Sequence, residues 1–268
     1  VTDRAIAVTL WLLAGAGYAQ NAGIDQSSPA EKGRAIAFEA DRREAGFGDT
    51  VTELTMELVN AEGRVRTRRL TWRILEGTNP NEGDKSLTIF HEPRDIEGTA
   101  FLSYTYVNRP DDQWLYLPSL KRVKRIASAN QTSAFVGSEL SYEDLLSDEV
   151  ERFEYRWLRD GPCGSLTCFV VERRPLYEGS GYSKQIVWID RSEYRAMQIE
   201  YYDQRERLLK TLTLDDYRQY MGRFWRAHVL QMQNNQTGKS TRLTFKPFAF
   251  GTGLTADAFD PNALTRVR

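Results

Sequence analysis

A chain of 268 residues with 41% hydrophobic and 27% charged residues is globular rather than disordered, and it is long enough to bury a sizeable core. Its 36 basic and 37 acidic residues nearly cancel, to a net charge of -1, which argues against the basic excess of a nucleic-acid-binding protein. Aromatic residues reach 12%, a content that suits strands and the linings of apolar cavities.

The first residues read as an export signal. Arg4 precedes an apolar run over residues 5–14, and small residues follow, ending Gly17-Tyr18-Ala19. Cleavage after Ala19 is expected, with Gln20 as the mature N-terminus. The run is short for a bilayer span, and no later apolar run approaches the ~20 residues of a membrane helix. No Cys follows Ala19 to carry a lipid anchor. The expected organisation is a signal over residues 1–19 and one exported, soluble domain over residues 20–268.

Residues 29–43 read as a helix. Ser28 suits the N-cap and Pro29 the first helical position, Ile36, Ala40 and Arg43 share a face with Lys32, and Gly46 and Gly48 stop the run. From Thr50 the period changes to two. Leu54, Met56 and Leu58 alternate with more polar neighbours, Asn60-Ala61-Glu62-Gly63 turns the chain, and residues 65–76 return with Leu70, Trp72 and Ile74 on one face and Arg69, Thr71 and Arg73 on the other. One polar face is antiparallel behaviour. Strand-like runs continue over residues 85–92, 99–107, 113–117 and 122–126. A short helix is expected over residues 141–147, capped by Ser141 with Asp144 in its first turn. Further strands are expected over residues 152–158, 167–174, 183–190, 196–202, 208–217, 225–233 and 240–248, with a closing turn near residues 257–264. About a dozen strands at regular spacing indicate a mainly β fold, one large antiparallel sheet or barrel.

Cys163 and Cys168 flank a Gly- and Pro-rich turn between two of these runs, and in an oxidising compartment a disulfide across the hairpin neck is expected. Two Cys and two distant His offer no metal-ligand spacing, so no metal is expected. The chain holds no G-x-S-x-G elbow, no H-E-x-x-H, no P-loop and no dinucleotide-binding glycine motif, so neither a catalytic centre nor a cofactor is expected. His91 and His228 fall in separate strand-like runs and read as satisfied structural histidines. Glu143 and Asp144 are adjacent, as are Asp215 and Asp216, and adjacent residues in a strand face opposite ways.

Two sets of residues remain as binding candidates. Trp72, Ile74, Phe90, Leu102, Tyr104, Trp114, Tyr116 and Trp188 lie on alternating strands and are mostly aromatic. A large sheet with few helices has little to cover its inner face, so these residues either fill a core or line a cavity for an apolar ligand. Lys121, Arg122, Lys124 and Arg125 form a basic cluster, suited to a lipid headgroup or an acidic protein segment, or else to a solvated edge where charge blocks strand pairing.

Three ordered blocks carry a resemblance: PRDIEGTAFL at residues 93–102, DQWLYLPSLKRVKRI at 112–126 and FVGSELSYEDL at 135–145. Together they resemble the LolA-like outer membrane lipoprotein-sorting family, in the periplasmic branch associated with RND-type transporters. Glu139-Leu140 departs from the Asp-Phe usual in that family, a change that conserves charge and apolarity. The resemblance implies a curved antiparallel half-barrel with a few short helices over its concave face, and an apolar cavity for the acyl chains of lipids or lipoproteins. The leading expectation is a lipid or lipoprotein carrier, working with an RND-type transporter. The alternative is a periplasmic sensor or interaction module that binds a protein partner without carrying lipid.

Overall fold

The computed structural model describes residues 27–79, 81–147 and 149–266, and the expected signal over residues 1–19 lies outside them. The chain enters through the helix α1 (Pro29–Glu44). Its first turn is held by a reciprocal cap: the Glu31 amide donates to the Ser28 hydroxyl at 3.3 Å, and the Ser28 amide donates to the Glu31 carboxylate at 2.8 Å. Two backbone donors that the helix leaves unpaired are satisfied in this way.

Fourteen strands form one antiparallel sheet. The first six are β1 (Asp49–Val59), β2 (Val65–Leu75), β3 (Glu82–Glu92), β4 (Ala100–Tyr106), β5 (Asp112–Leu117) and β6 (Arg122–Ile126). After a long connection come β7 (Phe153–Cys163), β8 (Leu166–Pro175), β9 (Lys184–Asp190), β10 (Ala196–Tyr202), β11 (Leu208–Tyr220), β12 (Phe224–Asn234), β13 (Ser240–Phe245) and β14 (Ala249–Phe250). Each strand pairs with its sequence neighbour except at one seam, where β13 returns to β1 and joins the two meanders; β14 also pairs with β1. The result is an open half-barrel whose end strands are β6 and β7. The run expected over residues 240–248 is divided, because Pro247 has no amide to give the ladder and the chain steps across it into β14.

The inner face of the sheet is covered, and the outer face is covered around β3 and β4. On the inner face lies the main core, with Phe90, Phe101, Phe135, Tyr142 and Val150. The connection between β6 and β7 supplies the last three of these. On the outer face a smaller cluster joins Leu87, Ile89 and Leu102 of β3 and β4 to Phe259 and Leu264 of the C-terminal segment, which consists of two short 3-10 turns. The helix expected over residues 141–147 is only a single 3-10 turn, Glu143–Leu145. Ser141 and Asp144 do cap one another, at 2.6 and 3.3 Å, but the Asp144 carboxylate is also drawn sideways to the sheet and Leu146 is already extended.

The expected disulfide joins Cys163 and Cys168 across the β7–β8 hairpin, with their Cα atoms 5.8 Å apart. At this end of the sheet α1 lies along β7, and Gly33 permits the approach. A Cβ at that position would stand 2.6 Å from the Trp157 amide nitrogen and 2.8 Å from the Arg156 carbonyl carbon. These contacts are with backbone, which cannot swing aside. Gly33→Val is therefore expected to lower stability by about 1–3 kcal/mol through overpacking. Chemical denaturation followed by circular dichroism checks this, and an unchanged midpoint would show that α1 is free to lift off β7.

Candidate functional site

Between the sheet and its inner cover lie two hollows that share five wall residues, Trp72, Ile74, Ser147, Leu230 and Phe245. The larger, about 470 Å³, sits under α1 against β7 to β13. The smaller, about 240 Å³, lies between the β1, β2, β3 and β13 wall and Phe135, Leu140, Leu145 and Leu146 of the connection. Strand alternation builds the shared wall. Leu70, Trp72 and Ile74 project to one side of β2, and the register places Trp72 opposite Thr52 and Thr88 and Ile74 opposite Thr50 and Ser86. The Trp72 indole donates to the Ser86 hydroxyl at 2.7 Å and its ring stands 5.8 Å from that of Phe245. The indole's one polar atom is thus satisfied, and its apolar surface is left to the hollow.

The structure divides the eight aromatic and apolar candidates among three places. Trp72 and Ile74 line both hollows. Phe90 is on the same side but fully buried, its ring 5.7 Å from Phe135, so it is part of the packed core. Leu102, Tyr104, Trp114 and Tyr116 belong to the outer cluster, where the Tyr104 hydroxyl donates to the Phe259 carbonyl at 2.6 Å. Trp188 also points outward, because its neighbours Val187 and Ile189 line the larger hollow. The expectation that all eight meet in one cavity is corrected accordingly. Residues 86–90 are buried without interruption, since β3 is covered on both faces, and alternation there does not reveal which side chain faces inward. Much of the actual wall, including Leu54, Met56, Val171, Leu212 and Leu243, comes from ordinary aliphatic positions in the predicted strands. What they share with Trp72 and Ile74 is an inward position on an alternating strand rather than aromatic character.

The basic candidates Lys121, Arg122, Lys124 and Arg125 are exposed and line neither hollow. They lie on and beside the end strand β6.

Charged residues also line the larger hollow. Asp41 and Glu44 come from α1, Asp84 from β3, and Arg173, Arg195 and Arg226 from β8, the β9–β10 turn and β12. Each arginine has a partner: Arg195 bonds Asp190 at 2.6 Å, Arg226 bonds Glu44, and Arg173 bonds Gln185 at 2.7 Å. Desolvation raises the carboxyls of Asp41, Glu44 and Asp84 above their usual range. Behind Asp84, Glu149 is pushed up to about 7 by burial and then by the charges of Asp84, Asp41, Glu151 and Asp111. No group of three or more potential metal ligands occurs among the described residues.

A second polar set fastens the connection into the half-barrel. Lys210 of β11 donates to Asp144 at 2.5 Å and to the Glu139 carbonyl at 3.2 Å, and the Tyr182 hydroxyl donates to Asp144 at 2.6 Å. Glu143 accepts from the Tyr177 hydroxyl at 2.8 Å, from the Ser180 hydroxyl at 2.5 Å and from the Gly181 amide at 2.9 Å. From one 3-10 turn, Asp144 thus reaches Lys210 of β11 and Tyr182 of the β8–β9 loop, and the glycine-rich part of that loop at residues 179–181 serves as a receptor for Glu143. Both histidines are satisfied. His91 meets Thr71 at 2.8 Å, and buried His228 lies between the Tyr220 hydroxyl at 2.7 Å and the Phe245 carbonyl at 3.0 Å.

Comparison with known proteins places this architecture. A family model described as an uncharacterised protein matches residues 82–266. The crystal structure of an outer membrane lipoprotein-sorting protein domain from Vibrio parahaemolyticus is 47% identical, covers 88% of this chain and 100% of its own, and superposes with a TM-score of 0.86. A DUF1329 family protein from Desulfovibrio piger is 26% identical over 89% of this chain and 100% of its own, with a TM-score of 0.84. A LolA superfamily protein from Nitrosomonas europaea shares the fold at 18% identity, covering 87% and 98% of the two chains with a TM-score of 0.67. No curated protein matches the chain.

Two tests follow from the charges. The side chains of Lys210 and Asp144 are 5% and 2% exposed, so removing one partner strands the other's charge in the interior. Lys210→Met and Asp144→Leu are each expected to cost about 3–5 kcal/mol, with the double variant recovering much of the loss. Strict additivity in a denaturation cycle would show that the two groups are not coupled. For Glu149 the folded pKa of about 7 exceeds the ordinary value of 4.5. Between those values the folded state holds the extra proton, so stability falls as pH rises through the window, and the loss is complete above it. The gain in melting temperature from Glu149→Gln is expected to be small near pH 5 and greatest near pH 8. A gain independent of pH would refute the raised carboxyl.

Proposed function

We propose a carrier function on one premise: the chain belongs to the LolA-like outer membrane lipoprotein-sorting protein family. In this reading the protein works in the periplasm as one exported domain and takes the acyl chains of a lipid or lipoprotein into its inner hollows. The observation that supports it most is the pair of adjoining, apolar-walled spaces around Trp72 and Ile74, which the chain's own core leaves unfilled.

The energetics suit such cargo. Each buried methylene is worth about 0.8 kcal/mol, so a chain segment of modest length binds usefully without covalent chemistry. Transfer then requires only differential burial between donor, carrier and acceptor, and the polar lip of Asp41, Asp84, Arg195 and Arg226 would stay with the wetter end of the ligand. No helix among the described residues is long and apolar enough to cross a membrane. Cooperation with an RND-type transporter is proposed from the sequence resemblance alone.

The test contrasts the two faces of the sheet. Ile74 is only half-buried because it borders the hollows, whereas Leu102 is fully buried under the C-terminal segment. Ile74→Asp is expected to keep the circular dichroism spectrum of the wild type while weakening binding of a fluorescent fatty acid at least about tenfold, equivalent to about 1.4 kcal/mol. Leu102→Asp is expected to unfold the protein, because an unpaired charge there has no route to water. Wild-type protein that binds no fatty-acid probe, and carries no lipid in native mass spectrometry after purification from cells, would remove the carrier reading.

A further inference from the structure

The two end strands of the half-barrel are finished differently. At β7 the helix α1 packs along the strand, with Lys32 3.8 Å above the Trp157 ring. At β6 the backbone ladder runs to β5 alone, and among the described residues no backbone hydrogen bond reaches its outer edge. A free strand edge is a row of unpaired donors and acceptors that can template another strand.

Most of the charge on this edge lacks internal compensation. Lys121, Arg122, Lys124 and Arg125 are all exposed. Arg125 pairs with Asp112 of β5. Lys121, Arg122 and Lys124 have no carboxylate within ion-pair distance among the described residues. Beside them Leu120 is 62% exposed, an apolar contact next to the cations. Lys121, Arg122 and Lys124 therefore contribute little to holding this fold, and their function has to be sought at the edge itself.

Like charges on an edge reject a second copy of the same edge, because adding it would set cation against cation. The same charges favour a strand of opposite sign. We propose that the β6 edge receives an extended acidic segment of a partner protein, which adds to the sheet as a further strand. Geometry favours this partner over an anionic membrane surface. Arg122 and Lys124 stand opposite Leu117 and Leu115 and so share one face of the sheet, while Arg125 stands opposite Trp114 on the other. Cations that alternate between faces form no flat basic plane for a bilayer. They flank an added strand from both sides, where carboxylates at neighbouring cross-strand positions meet them, and the free backbone groups supply the ladder. The site is separate from the hollows and does not rest on the carrier reading.

The probe is a short fluorescent peptide with glutamate at alternate positions among valine and threonine, titrated against the full chain at low ionic strength and followed by anisotropy. Saturable binding is expected. Arg122→Glu with Lys124→Glu, and separately a lysine version of the peptide, should each weaken it by at least about tenfold. Strand addition is read from two N-methylated peptides of identical charge, one blocking odd amides and the other even. Only the set that faces β6 should lose binding. Equal binding by both N-methylated peptides would show attraction without a ladder. Association with phosphatidylglycerol vesicles but not with the peptide would place a membrane at this edge. Either result, or no binding at all, overturns the proposal. Circular dichroism and fatty-acid binding of the charge-reversed protein should match the wild type, which separates this outcome from that of the carrier reading.

Discussion

The buried pair between Asp144 and Lys210 determines what the half-barrel encloses. An open antiparallel sheet of fourteen strands exposes a large apolar inner face unless something is held against it. Here the cover is an irregular connection between β6 and β7 with no long helix, so it gains little from its own local structure. It is held instead by Phe135, Leu140 and Tyr142, and by carboxylates that reach β11 and the β8–β9 loop. A buried ion pair is not a cheap source of stability, since desolvating two charges offsets much of their attraction. Its value is positional. Asp144 has to meet Lys210 and Tyr182 together, and Glu143 has to meet Tyr177, Ser180 and Gly181, which fixes the depth at which the connection seats.

That depth explains why part of the inner face is core and part is hollow. Near β3 and β4 the aromatic rings of Phe90, Phe101, Phe135 and Tyr142 close against one another at centroid distances of 5.2–5.7 Å. Toward β8 to β12 the cover is α1, and α1 presents Ala37 and Ala40, side chains too short to reach the opposite wall. Helix position and side-chain size therefore set the volume. The charged residues at the same place, Asp41 and Glu44, come from the same helix and keep that end of the space polar.

Most of the fold was legible because period-two alternation and turn residues mark antiparallel strands clearly. The β10 and β6 bounds, the Ser28 cap and the Cys163–Cys168 bridge are all local features, and local rules recover them. What escaped is non-local. Tyr104 and Trp114 alternate just as Trp72 does, yet they meet Phe259 from the far end of the chain, and nothing in their own strands indicates a C-terminal segment over the outer face. The helix expected at 141–147 failed for a related reason. Ser141 and Asp144 bond one another as expected, but the turn that forms is capped by Tyr142, and the Asp144 carboxylate has stronger partners on β11 and in the loop before β9 than in a second helical turn. The candidate cavity was accordingly legible as a face of β2 and illegible as a list of aromatics.

An open fold leaves two sheet ends to protect. A closed barrel has no edges, and a half-barrel must manage two. At β7 the solution is steric: Gly33 lets α1 come close enough that its Cβ-less position lies on the strand backbone, and the helix that covers this edge is the one that also roofs the larger hollow. Edge protection and cavity formation are thus the same structural element there. At β6 the solution is electrostatic: among the described residues the C-terminal segment packs against the strand, but no backbone partner extends the ladder beyond β5, and the packed aromatic core separates this edge from the hollows. An openness that would be a liability in an apolar strand is, with this charge, selective for the sign of whatever approaches. The fold consequently sets a largely apolar-walled hollow at one end and a charged strand without a further backbone partner at the other.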